Sequence, residues 1–86
     1  MKEFDRKDPS ASAAFEKWRN GNSAALFVNF KSPNNMMLHK TDCGHFVFGR
    51  DVNLVRHKKI CSSDRRELED WAKQFGELRN CPDCKP

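Results

Sequence analysis

Apolar residues recur along this chain at two spacings, and the spacings predict its elements. Ala11, Ala14, Phe15 and Trp18 fall at helical intervals and give one apolar face. Asp8-Pro9 ahead of them is a helix start, an acidic cap before a proline at the first helical position. Asn20-Gly21 is a stop, so a helix is expected over 9–20, with Phe15 and Trp18 packed into the core. Residues 24–30 (AALFVNF) are short and rich in aromatic and branched side chains, the signature of a strand. The Pro-Asn-Asn chemistry of 31–35 is a turn, and 36–39 returns as a second strand, giving a hairpin with a five-residue loop.

Residues 58–61 (KKIC) read as a third strand closing a small antiparallel sheet. The clearest helix follows. Ser62-Ser63-Asp64 begins it with a serine as cap, Asp64 and Glu67 place acid at the positive end of its dipole, and Leu68, Trp71, Ala72 and Phe75 stand at i, i+3, i+4 and i+7. Gly76 ends it, and 77–80 lead into a Cys-x-x-Cys pair. Residues 1–8 mix charges around a single Phe4 and read as a flexible N-terminus. The apolar stretch 45–49 is expected beside the site described below, and 50–57 has no clean period and reads as loop. The expected class is α+β: a short antiparallel sheet, an N-terminal helix, and a C-terminal helix leading to a terminal Cys-x-x-Cys.

Composition adds a constraint. An 86-residue chain with 37% hydrophobic and 33% charged residues forms one domain, 1–86, with a thin core. Domains of this size commonly need a disulfide or a metal as a staple. No apolar run reaches membrane-spanning length, and the N-terminus has no apolar signal-peptide core. A cytoplasmic location is therefore expected, with the 4 cysteines reduced or metal-bound rather than paired as disulfides. The net charge of +4 permits contact with nucleic acid without requiring it.

The candidate staple is a pair of pairs. His39 and Cys43 are separated by three residues, and Cys81 and Cys84 by two. Each pair can bite one metal from a single turn, and two such pairs complete the tetrahedral shell of one structural Zn2+ ion. Three further groups compete for places: Cys61, His45 and His57. Cys61 in place of His39 would make an all-cysteine site, but Ile60-Cys61 also reads as sheet interior, where cysteine packs as a small hydrophobe. Thiol redox chemistry is disfavoured because Cys81-x-x-Cys84 follows a helix instead of starting one, which removes the dipole that stabilises a reactive thiolate. Four ready ligands leave no open coordination position of the kind a catalytic zinc uses.

The order of parts resembles the metal-binding N-terminal domain of the Ada DNA-repair protein. The likeness covers roughly Leu26 to Pro86 and is carried by the three-residue ligand spacing after a hairpin, then a strand, a helix and Cys81-Pro82-Asp83-Cys84-Lys85-Pro86. The resemblance implies a zinc-clasped scaffold with affinity for DNA. In that family the first ligand is a cysteine whose zinc-bound thiolate accepts a methyl group from a DNA phosphotriester, and the matching position here is His39. An imidazole does not take over that chemistry, so the resemblance implies the scaffold without the reaction.

The expected function is a non-catalytic, monomeric zinc module that binds DNA or RNA. Lys40, Arg50, Arg56, Lys58 and Lys59 are the candidate phosphate contacts. The alternative is a zinc-dependent adaptor for a protein partner, and a third reading is an enzyme, either a methyl acceptor using Cys43 or Cys61 or a thiol redox protein. No membrane partner is expected.

Overall fold

The computed structural model describes residues 1–43 and 57–86. It is an α+β domain in which a five-stranded mixed sheet separates two helices. The elements run β1 (Lys2–Phe4), α1 (Ala11–Gly21), β2 (Leu26–Ser32), β3 (Asn35–Lys40), β4 (Lys58–Ser62), α2 (Arg65–Ala72) and β5 (Leu78–Asn80). The order across the sheet is β1-β4-β2-β3-β5.

Side chains of a strand alternate between faces, so the cross-strand partners assign every position to one layer. Phe4, Lys59, Cys61, Phe27 and His39 share the first face through the partners Phe4–Lys59, Phe27–Cys61 and Phe27–His39. There Phe4, Phe27 and Cys61 pack with Ala11 and Phe15 of α1, and Trp18 lies against them. Phe15 meets Phe4 and Phe27 edge-on, at centroid distances of 5.7 and 5.1 Å. Val28, Met36, Leu38 and Ile60 point to the other face and pack with Leu68 and Ala72 of α2. The thin apolar content is thus split into two small cores on a sheet that is buried on both sides.

Local chemistry explains the element ends. Asp8 does not cap α1 directly; its carboxylate accepts from the N–H and the hydroxyl of Ser10, the residue before the helix, and α1 starts two residues later than expected. The cap of α2 is Asp64, which accepts from Arg66 N–H at 2.9 Å, while Ser62 accepts from Asp64 N–H one step earlier. The hairpin loop is shorter than expected. Strands β2 and β3 extend to Ser32 and Asn35, with a register shift between Phe30 and Ser32, so Pro33 and Asn34 alone form the turn. Asn34 has φ 66°, a left-handed conformation that asparagine tolerates.

Gly76, with φ +153°, lies against that turn, where a Cβ would collide with the Asn34 side chain. The close approach lays the following residues beside β3 as β5, a strand that the sequence pattern did not predict. Met36, Met37 and Leu38 pair with Leu78, Arg79 and Asn80 in parallel, so the sheet is mixed and not purely antiparallel.

Two further expectations are corrected. Residues 1–8 are not simply a flexible end: Lys2–Phe4 pairs with β4, and Phe4 is buried. One aromatic ring with a place in the core is enough to order a three-residue edge strand. Lys59 is not a surface lysine: it is 2% exposed, and its ammonium donates to Asn29 Oδ1. Burial, opposed by the Cys61 charge and reinforced by Lys31, lowers the Lys59 amine from 10.5 to about 8. Burial also raises the Cys61 thiol, against Lys59 and Lys2, to about 12.

These facts give two expectations. Phe4→Ala should cost about 3 kcal/mol in urea denaturation, the loss typical of a buried phenylalanine, whereas a frayed end would show no change. The second concerns pH. Between about 8 and 10.5 the unfolded chain holds a proton on Lys59 that the folded chain has lost, so this group makes stability rise with pH. Cys61 acts with the opposite sign from about 9 to 12, because the unfolded thiol ionises first. The stability difference between wild type and Lys59→Met should therefore shift toward wild type, by on the order of 2 kcal/mol, as pH rises through the lysine window. A difference independent of pH would show that Lys59 is not held in this environment.

Candidate metal centre

The parallel pairing of β3 with β5 sends both strands out at the same end of the sheet. His39 lies near the end of β3, and the chain turns at once, with Cys43 N–H donating to the Lys40 carbonyl at 3.1 Å. At the end of β5, Cys81 N–H donates to the Leu38 carbonyl at 3.0 Å and prolongs the ladder. A second turn closes with Lys85 N–H on the Cys81 carbonyl at 3.0 Å. Two tight turns, far apart in sequence, are thereby set side by side.

His39, Cys43, Cys81 and Cys84 converge there, with their ligand atoms all within 4.8 Å of one another. His39, Cys43 and Cys81 are buried, and Cys84 is partly so. The Cys43 and Cys81 sulfurs stand 3.9 Å apart. That is far beyond a disulfide bond of about 2.05 Å. It matches the edge of about 3.8 Å of a tetrahedron built on zinc–sulfur bonds of about 2.3 Å. Both the spacing and the donor types fit a single metal ion with three thiolates and one imidazole.

Backbone and neighbouring rings hold the donors in place. Lys40 N–H points at Cys84 Sγ at 3.3 Å. Burial opposes ionisation of Cys81, but the N–H groups of Cys84 and Asp83, together with the Cys84 and Cys43 side chains, bring its thiol below the ordinary range. Burial pushes the Cys84 thiol up, against the Lys40 N–H and Cys43, while Cys81 adds to the rise. The His39 ring is 4% exposed and stacks on Phe27 at 5.2 Å with 24° between planes. Thr41, inside the first turn, is buried; its N–H donates to the Ala25 carbonyl and its hydroxyl to the Asn22 carbonyl at 2.8 Å. The turn is thus tied to the loop that follows α1.

The structure brings together the four ligands chosen from the sequence and sets Cys61 and His57 apart from them. Cys61 is in the core beneath α1, away from the cluster: it shares a face with His39, but β2 stands between their strands and Cys61 packs with Phe27 and Phe15. His57 lines a cleft with Phe30 and Lys58, and His45 lies outside the described residues. The described candidate phosphate contacts do not form one surface. Lys40 is exposed beside the metal centre, and Lys58 lies opposite Phe30 at the far end of the sheet. Four residues of strand separate those ends, about 13 Å. Lys59 is buried, and Arg50 and Arg56 lie outside the described residues. The supports provided by Phe27 and Thr41 were not recognised in the sequence. The predicted loop 31–35 already sets Phe30 opposite Met36 and so Phe27 opposite His39, but nothing local marks that pair as a stack or Thr41 as an anchor.

Substitution separates the ligands from the neighbouring cysteine. Cys43→Ser and Cys81→Ser should each cost at least about tenfold in affinity for Co2+, with weaker thiolate-to-metal absorption. Cys61→Ala should leave both unchanged. Loss of binding in the Cys61 variant, with its fold intact, would contradict this ligand set.

Comparison of the chain with protein-family models, with curated proteins and with solved structures finds no match, so the metal centre stands on its geometry alone.

Proposed function

We propose that this domain is a structural zinc module that binds nucleic acid and performs no reaction of its own. The observation that carries the proposal is the convergence of His39, Cys43, Cys81 and Cys84 at the shared end of two parallel strands. Three thiolates and an imidazole are a structural-zinc donor set, and using all four leaves no position for substrate. When bound, the metal would cross-link β3 to β5, and so the hairpin to the segment after α2.

The resemblance to the Ada metal-binding domain supports the same reading through the order of ligands, hairpin, strand and helix. His39 occupies the place of that family's methyl-accepting cysteine, so the proposal keeps the scaffold and omits repair. Nucleic acid is the preferred partner because the chain carries net charge +4 and gathers Arg6, Lys31 and Lys58 at the end of the sheet opposite the centre.

Metal analysis of the purified protein should give one zinc per chain. Chelation should lower its thermal stability strongly, because in small sites metal binding is coupled to folding. Fluorescence anisotropy with labelled DNA and RNA should show binding at low salt that weakens steadily as salt rises. Full thermal stability after complete metal removal would refute the structural role. No binding to any nucleic acid at low salt would refute the partner, and would favour a protein adaptor.

A further inference from the structure

The end of the sheet opposite the metal centre carries a second feature. Asp5, Arg6, Phe30, Lys31, His57 and Lys58 surround a cleft of about 370 Å³. Its basic groups come from three separate parts of the chain: the segment after β1, the end of β2 and the start of β4. Folding therefore gathers like charge here. Asp5 is the carboxylate among the lining residues, and Glu3 offsets Lys58 from the side at 3.0 Å. The two acids do not neutralise Arg6, Lys31 and Lys58 together. The crowding is felt inside the domain as well, where Lys31 helps to lower the buried Lys59 amine.

An aromatic group continues the cleft toward α2. Phe30 lines the cleft, with the Lys58 ammonium 5.8 Å from its ring centroid. Phe30 meets Phe75 at 5.3 Å and Trp71 at 5.6 Å, and Trp71 meets Phe75 at 4.9 Å. Phe75 is 37% exposed, although the helical spacing places it on the apolar face. It sits just beyond the end of α2, at the rim of the second core. A partly exposed ring backed by two others, beside a basic cleft, combines a surface for base stacking with charges for phosphate.

We infer that single-stranded nucleic acid binds at this end of the sheet, with its phosphates in the cleft of Arg6, Lys31 and Lys58 and a base on Phe75. The inference deepens the nucleic-acid reading above and rests on it. It assigns the contacts to the side of the domain away from the metal, whose role is then to hold the scaffold. Single strands fit better than duplex because stacking on Phe75 needs an unpaired base face.

The zinc-loaded protein is titrated with a labelled oligothymidylate and with a labelled duplex by anisotropy, over a series of salt concentrations. The variants are Arg6→Gln with Lys31→Gln, Phe75→Ala, and Lys40→Gln, which tests the rival contact at the metal end. Zinc content and thermal melting are checked for each. Single strand should bind more tightly than duplex. Phe75→Ala should weaken single-strand binding about fivefold or more. The double variant should reduce the salt slope by about 1.4, close to 0.7 for each cation removed. Lys40→Gln should change little. Intact wild-type binding that survives the first two variants and falls with Lys40→Gln would place the interface at the metal end and overturn the inference. Tighter binding of duplex would overturn it also. Absence of binding by wild type would remove the nucleic-acid reading itself.

Discussion

The parallel pairing of β3 with β5 is the interaction on which the candidate site depends. An antiparallel β5 would carry Cys81 and Cys84 to the opposite end of the sheet from His39 and Cys43. The connection that makes the pairing parallel runs from β4 through α2, across the second face, to the far edge of the sheet. Gly76 permits the last step by letting the chain pass close to the Asn34 turn. A short strand of three residues thus has a positional role far larger than its hydrogen bonds alone. A metal held by both turns would in turn fix this strand, which offers little apolar surface of its own.

The sheet also divides the molecule chemically. One end carries sulfur, imidazole and directed backbone N–H groups. The other collects lysine, arginine and aromatic rings. Between them, the two cores use nearly every large apolar side chain of the described residues, with Met1 and Phe75 left exposed. Lys59 marks a cost of this economy. With so few apolar residues, a lysine fills a core-facing place, held by Asn29 and depressed in basicity by burial.

Much of the local structure was legible. The apolar spacing of Phe15 and Trp18, and of Leu68 and Ala72, identified both helices, because a helix turned to a core repeats every three to four residues. The hairpin and β4 were readable from branched and aromatic residues. The misread parts share a cause: their structure comes from contacts distant in sequence. Lys2–Phe4 is too short to show a period and is ordered by pairing with β4. Leu78–Asn80 has the same brevity and relies on β3. The turn at Pro33-Asn34 was drawn too wide because its composition does not reveal how far the flanking strands pair.

The amino-acid sequence by itself determined the donor types and the ligand spacings, since His-x-x-x-Cys and Cys-x-x-Cys are local facts. It also determined two helices and three of the five strands. Tertiary structure alone decided which donors meet. Cys61 was a plausible ligand by type, but the strand order places β2 between it and His39, so it joins the core beneath α1. Lys58 and Lys59 are neighbours of the same charge, yet one lies at the surface cleft and the other is buried, because successive residues of a strand face opposite ways. Spacing along a chain fixes what a turn can hold; only the direction of a distant strand fixes whether the second turn arrives.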